Sequence, residues 1–114
     1  MIVIDSSSLI LLAKIGALDI LIKNTKEGLV IPEQVYAECT ARKELFDAQI
    51  IEKRIKEKAI AKRGISNWPL CNKIQQDFNL GKGEAEAICL CIGIKSGIIT
   101  DDKKAINACR ILKI

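Results

Sequence analysis

Three short apolar runs punctuate the chain, Ile2-Val3-Ile4, Leu29-Val30-Ile31 and Ile98-Ile99-Thr100, and none alternates apolar with polar positions. A strand without alternation is covered on both faces, as strands of a parallel sheet flanked by helices are. Helical patterns separate the runs. Ser6, Ser7 and Ser8 supply a turn and an N-cap for a helix through Leu9 to Ala13 that closes near Gly16, and a second helix is expected from Ala17 to Lys23. Pro32 suits the first turn of the helix carrying Glu38, with Val35 and Cys39 turned inward. The period of Ile50, Ile51, Ile55 and Ala59 predicts one helix over Leu45 to Ala61, ended by Gly64, and the turn residues around Trp68 predict an irregular stretch from Ile65 to Leu70.

Gly81-Lys82-Gly83 reads as a turn that launches a helix from Glu84 to Lys95. Ala85, Ala87, Ile88, Cys89, Cys91 and Ile92 should pack inward there, with Gly97 as the cap. A last helix is expected over Lys103 to Leu112. This alternation predicts a three-layer α/β/α fold on a central parallel sheet. At 114 residues the chain is one domain with room for one site. Its residues are 49% hydrophobic but only 4% aromatic, so the core must be aliphatic.

The longest apolar run, Ile88 to Ile94, falls far short of the roughly 20 residues of a membrane span, and the N-terminus has no basic region before its apolar residues. A cytoplasmic protein is expected. The five cysteines (Cys39, Cys71, Cys89, Cys91, Cys109) include no C-x-x-C pair, which argues against a zinc site or a disulfide framework and for small buried hydrophobes.

Acids mark the chemistry. Asp5 and the Asp101-Asp102 pair each follow a strand, and ligands of open parallel sheets collect outside the carboxyl ends of strands. Glu38 and Glu84 need only their helices to lean over that rim. With no histidine in the chain, such a site offers hard carboxylate oxygens suited to Mg²⁺ or Mn²⁺, and hence to metal-dependent phosphodiester hydrolysis. Each acid has an ordinary structural role as well: Asp5 and Asp102 as helix caps, Glu38 paired with Arg42, Glu84 at a helix N-terminus. Gathered within ~4 Å, however, carboxylates repel by ~1 kcal/mol in water and ~4 kcal/mol near a protein surface unless a cation or proton intervenes.

The net charge of +4 resides in one segment. Six bases (Lys53, Arg54, Lys56, Lys58, Lys62, Arg63) face two acids (Glu52, Glu57) between residues 52 and 63, and the remainder of the chain is neutral. The segment reads either as a grip on a phosphate backbone or as a solvated helix face supported by pairs such as Glu52 with Lys56.

Four segments together, Ile2-Val3-Ile4-Asp5-Ser6-Ser7, Ile31-Pro32-Glu33-Gln34-Val35-Tyr36-Ala37-Glu38, Leu80-Gly81-Lys82-Gly83-Glu84-Ala85-Glu86-Ala87-Ile88 and Ile98-Ile99-Thr100-Asp101-Asp102, resemble the PIN domain family of metal-dependent ribonucleases. That family includes the toxins of VapBC-type toxin-antitoxin pairs, and the Gly-Glu-Ala-Glu-Ala segment resembles a prokaryotic branch of it. The resemblance implies that Asp5, Glu38, Glu84 and Asp102 form an acidic quartet around Mg²⁺ or Mn²⁺, with Ser7 as a small polar neighbour. Glu86 competes with Glu84 for its place and Asp101 with Asp102, and Asp101 can join the metal shell directly or through water. RNA is the implied substrate, and an antitoxin protein and a homodimer are the implied partners. The resemblance also implies a strand after the last helix, which a chain stopping at Ile114 lacks. Two other readings compete: a PIN-like interaction module without catalysis, and a receiver-like signalling domain, which would want adjacent acids after the first strand where this chain has serines.

Overall fold

The structure, a computed structural model, describes residues 1–114. Its sheet has four strands in the order β3-β2-β1-β4, all parallel: β1 (Ile2–Ile4), β2 (Leu29–Pro32), β3 (Ile60–Arg63) and β4 (Ile98–Ile99). Seven helices connect them: α1 (Ser6–Lys14), α2 (Leu18–Asn24), α3 (Glu33–Thr40), α4 (Phe46–Lys56), α5 (Trp68–Asp77), α6 (Lys82–Ile94) and α7 (Lys103–Leu112). The central strands carry apolar residues throughout because both faces are covered. Ile4, Leu29, Ile31 and Ile60 point into a core with Leu9, Leu18, Val35 and Ile51 of α1 to α4. Val3 and Val30 point the other way, onto Ala87, Leu90 and Cys91 of α6. Alpha helices α5 and α7 pack on α6 through Cys71, Ile74, Ile88, Ala105 and Ala108, completing the third layer. No helix is long and apolar enough to cross a membrane.

The expected helix over Leu45 to Ala61 is two elements. Helix α4 stops at Lys56, Lys58 takes a left-handed φ of 63°, and the Lys58 and Ala59 N–H groups return to the Ile55 and Arg54 carbonyls. These two bonds form a Schellman ending built without glycine. The chain then extends, so that Ile60 is buried and pairs with Leu29, while Lys62 and Arg63 remain exposed on an edge strand. A helical period through Ala59 was compatible with the apolar residues, but Ile60 belongs to the sheet.

Residues 65–70 are only partly irregular. Helix α5 begins at Trp68, its N-cap Asn67 accepting the Leu70 N–H at 3.1 Å and Pro69 occupying the first turn. Helix α6 begins at Lys82, so only Gly81 of the glycine pair lies outside it, and it ends on Lys95 at φ 55° rather than on Gly97. Ile92 is exposed, because Ala85, Ile88 and Cys89 face α5 and α7 while Ala87 and Cys91 face the sheet. Pro32 is the N-cap of α3, not a first-turn residue, and Asp5 rather than a serine caps α1. The five cysteines are free and buried, as small core residues.

Candidate functional site

Parallel pairing of Val3 with Ile98 and Ile4 with Ile99 brings the ends of β1 and β4 side by side, and the Asp5 N–H bonds the Ile99 carbonyl at 3.1 Å. Asp5 and Thr100 thus leave the sheet together. The buried Asp5 carboxylate accepts the Ser8 N–H at 3.0 Å through Oδ1 and the Thr100 hydroxyl through Oδ2. Thr100 Oγ1 in turn accepts the Asp102 N–H at 3.2 Å. A second tie joins the same two loops, Ser7 Oγ donating to Asp101 Oδ1 at 3.0 Å. Asp102 caps α7, its Oδ1 accepting the Lys104 and Ala105 N–H groups at 2.9 and 3.3 Å.

Glu38 and Glu84 approach from the adjoining helices. Glu38 projects from α3 towards the start of α6, where its carboxylate lies against Gly83 so closely that a side chain there would collide with it. It does not pair with Arg42, which bonds Glu44 instead, and its helical neighbour Gln34 reaches Oε2 at 3.4 Å. Glu84 is the third residue of α6, with its carboxylate folded towards the N-cap Gly81. Its carboxyl is held above the ordinary value by burial first, then by the charge and hydrogen bonding of Asp102, with Glu38 contributing further. Cys39 registers the same crowding from beneath: burial pushes its thiol up to about 12, and Glu38, Asp47 and Asp5 add to the shift.

Glu86 points elsewhere. It is buried, and its Oε1 accepts the Gln34 N–H at 3.2 Å, satisfying an orphan amide in the first turn of α3, whose N-cap Pro32 has no side-chain donor or acceptor to offer. Residues two apart on a helix diverge by about 200°, and here one faces the rim while the other props the neighbouring helix. Asp101 is exposed and engaged with Ser7.

Thr100 and Gln34 are the polar neighbours that sequence reasoning left without a role. Gln34 had a signal, its i,i+4 spacing from Glu38. Thr100 had none beyond ending a strand. Asp47 is a further buried carboxylate, in the first turn of α4 and near Cys39.

The donor set suits a hard divalent cation, since every candidate ligand is a carboxylate and, after burial, the charges of Asp102 and Glu38 add to the rise at Glu84. No three of the acids are disposed as the ligands of a single ion. Asp5 and Asp102 are turned onto backbone amides and Glu84 onto its own helix start.

The basic segment is also divided by the fold. Arg54 forms a two-pronged pair with Asp19 at 2.6 and 2.9 Å and bonds Glu57 at 3.0 Å, so it joins α4 to α2. Glu52 accepts the Tyr36 hydroxyl at 2.8 Å, not a bond from Lys56. Lys62 places its ammonium 3.9 Å from the Tyr36 ring centroid.

A family profile described as a PIN domain matches residues 1–114. No curated protein matches the chain by sequence. PIN domains are generally nucleases and typically use divalent metal ions. The all-parallel sheet, the helical layers on both faces and a profile match over the whole length agree: this chain belongs to the PIN domain family.

Proposed function

We propose that this PIN domain is a metal-dependent endoribonuclease in which Asp5, Glu38, Glu84 and Asp102 hold Mg²⁺ or Mn²⁺, with Asp101 at the edge of the shell. The observation that carries this reading is the common rim. Thr100 ties Asp5 to the Asp102 loop, and Glu84 is raised first by burial and then by Asp102 and Glu38, so acids from four separate segments share one electrostatic environment. When bound, the ion supplies a water of lowered pKa and polarises a phosphoryl oxygen of the RNA backbone. The protein's own work is to aim the carboxylates. Ser8 and Thr100 fix both oxygens of Asp5, the first turn of α7 fixes Asp102, and Gln34 lies beside Glu38. The role of toxin in a toxin-antitoxin pair is part of the proposal and rests on the family to which the chain belongs.

The second reading is an interaction module without catalysis, and the absence of any trio of acids disposed around one ion favours it. Cleavage of RNA by the wild type and the Asp5→Asn variant, with and without Mn²⁺, separates the two. Metal-dependent cleavage that disappears in the variant supports the nuclease. No cleavage by wild type, or cleavage unaffected by the substitution, removes it.

A further inference from the structure

A hollow of about 490 Å³ opens between α3 and α4, with Lys43, Lys53 and Lys56 along its walls and Tyr36 and Glu52 among its lining residues. The lysines are exposed, and neither they nor Lys62 belongs to any ion pair. Glu52, the one carboxylate in the lining, is already engaged by the Tyr36 hydroxyl. Lys62 stands over the Tyr36 ring, adding a fourth ammonium group at the margin. Four cations therefore stand around one carboxylate, a net positive charge in the hollow, whereas Arg54 on α4 is paired with Asp19 and Glu57. Such a surface attracts a polyanion and repels a second copy of itself.

The hollow has further properties that select among polyanions. Its ammonium groups are spread over α4, the loop that precedes it and an edge strand, which suits a string of phosphates better than a single ion. The Tyr36 ring already has Lys62 over it and its hydroxyl bonded to Glu52, so the lysine ammonium groups are the free donors of the hollow, and such groups hold a backbone without reading bases. Helix α3 carries Tyr36 and Thr40 in the hollow and Glu38 about 200° around from Tyr36, at the acidic rim. One short helix thus separates the two features.

We propose that the α3–α4 hollow is a phosphate groove that grips an RNA strand beyond the acidic rim. The identity of the polyanion rests on the nuclease reading above. The groove holds the strand by its charges and leaves the choice of sequence to other contacts.

The test is fluorescence anisotropy of an end-labelled, unstructured RNA oligonucleotide with the whole chain in EDTA, so that binding requires no metal. The salt series is run for wild type, for Lys43→Ala/Lys53→Ala/Lys56→Ala, and for the corresponding triple Lys→Arg variant. Loss of three single-strand phosphate contacts should lower the slope of log affinity against log salt by about 2. The expected result is at least a tenfold loss of affinity at low salt with that flatter slope in the alanine variant, binding retained in the arginine variant, and unchanged melting in both. Unchanged affinity and slope in the alanine variant would overturn the groove. So would tighter binding of labelled polyglutamate than of RNA through the same lysines, which would assign the hollow to an acidic protein segment. Mn²⁺-dependent cleavage of the same oligonucleotide is scored separately: binding through these lysines without cleavage upholds the groove while removing the nuclease reading.

Discussion

The Thr100 hydroxyl donates to Asp5 and accepts the Asp102 N–H, so a single oxygen links the acid at the end of β1 to the acid that opens α7. Thr100→Val keeps the shape and removes the link. It should destabilise the fold by ~1 to 2 kcal/mol, because the Asp5 carboxylate and the Asp102 amide each lose a partner. Mn²⁺ affinity should fall as well, with Thr100→Ser restoring it. Thermal melts with and without Mn²⁺ measure both effects, and a valine variant with unaltered metal response would show that Asp5 needs no such support.

Glu86 and Glu84 face different ways from α6, and on the proposed reading the first serves stability and the second the metal. Glu86→Ala leaves the half-buried Gln34 N–H without its acceptor and should cost ~1 kcal/mol. Glu84→Gln should barely change melting yet abolish the Mn²⁺ response. If the responses are reversed, with Glu86 required for metal and Glu84 for stability, the assignment of the two acids is wrong.

Gly83→Ala tests the approach of Glu38 to α6. Alanine is favoured over glycine by up to ~1 kcal/mol in a helix interior and by less in the first turn, where Gly83 sits, and the atoms it would strike are the far end of a flexible side chain. Melting temperature should be unchanged or higher, while metal-dependent cleavage falls as Glu38 is pushed aside. Full activity with raised stability would remove Glu38 from the proposed shell.

Arg54 should behave unlike the lysines around it. Its bond holds the Asp19 carboxyl below the ordinary value, so the stabilisation is present above the normal carboxylate pKa and is lost as pH falls through the lowered one. Arg54→Ala should lower the melting temperature near neutral pH, and the gap from wild type should narrow in acid. Lys53→Ala should leave melting unchanged throughout. A pH-independent difference for Arg54→Ala would mean that packing of its stem, not the pair with Asp19, accounts for the loss.

Much of this architecture was legible in the residues. Ile2-Val3-Ile4 and Leu29-Val30-Ile31 lack polar alternation because each is buried on both faces, and the acids after β1 and β4 follow from where parallel strands end. Strand β3 was concealed because Ile60-Ala61-Lys62-Arg63 has one fully buried side chain and an exposed charged end, while its apolar start continues the helical period of α4. The turn that separates them uses Lys58 in a left-handed conformation where a glycine would have announced the stop. Glycines misled elsewhere: Gly97 does not end α6, and Gly83 serves the approach of Glu38 rather than a turn. The different directions of Glu84 and Glu86 were visible only as an angle, since their destinations depend on how α3 and α6 pack. Membership of the PIN domain family was readable; the partners of individual oxygens were not.

Thermal unfolding of wild type and Asp5→Asn across a Mn²⁺ titration tests whether the rim binds a divalent cation. An ion that binds only the folded state stabilises it by about 2.7 kcal/mol at a hundredfold excess over its dissociation constant. The account predicts a concentration-dependent rise in the wild-type melting temperature that is absent from Asp5→Asn. Equal rises in both proteins, or none in wild type, would contradict it.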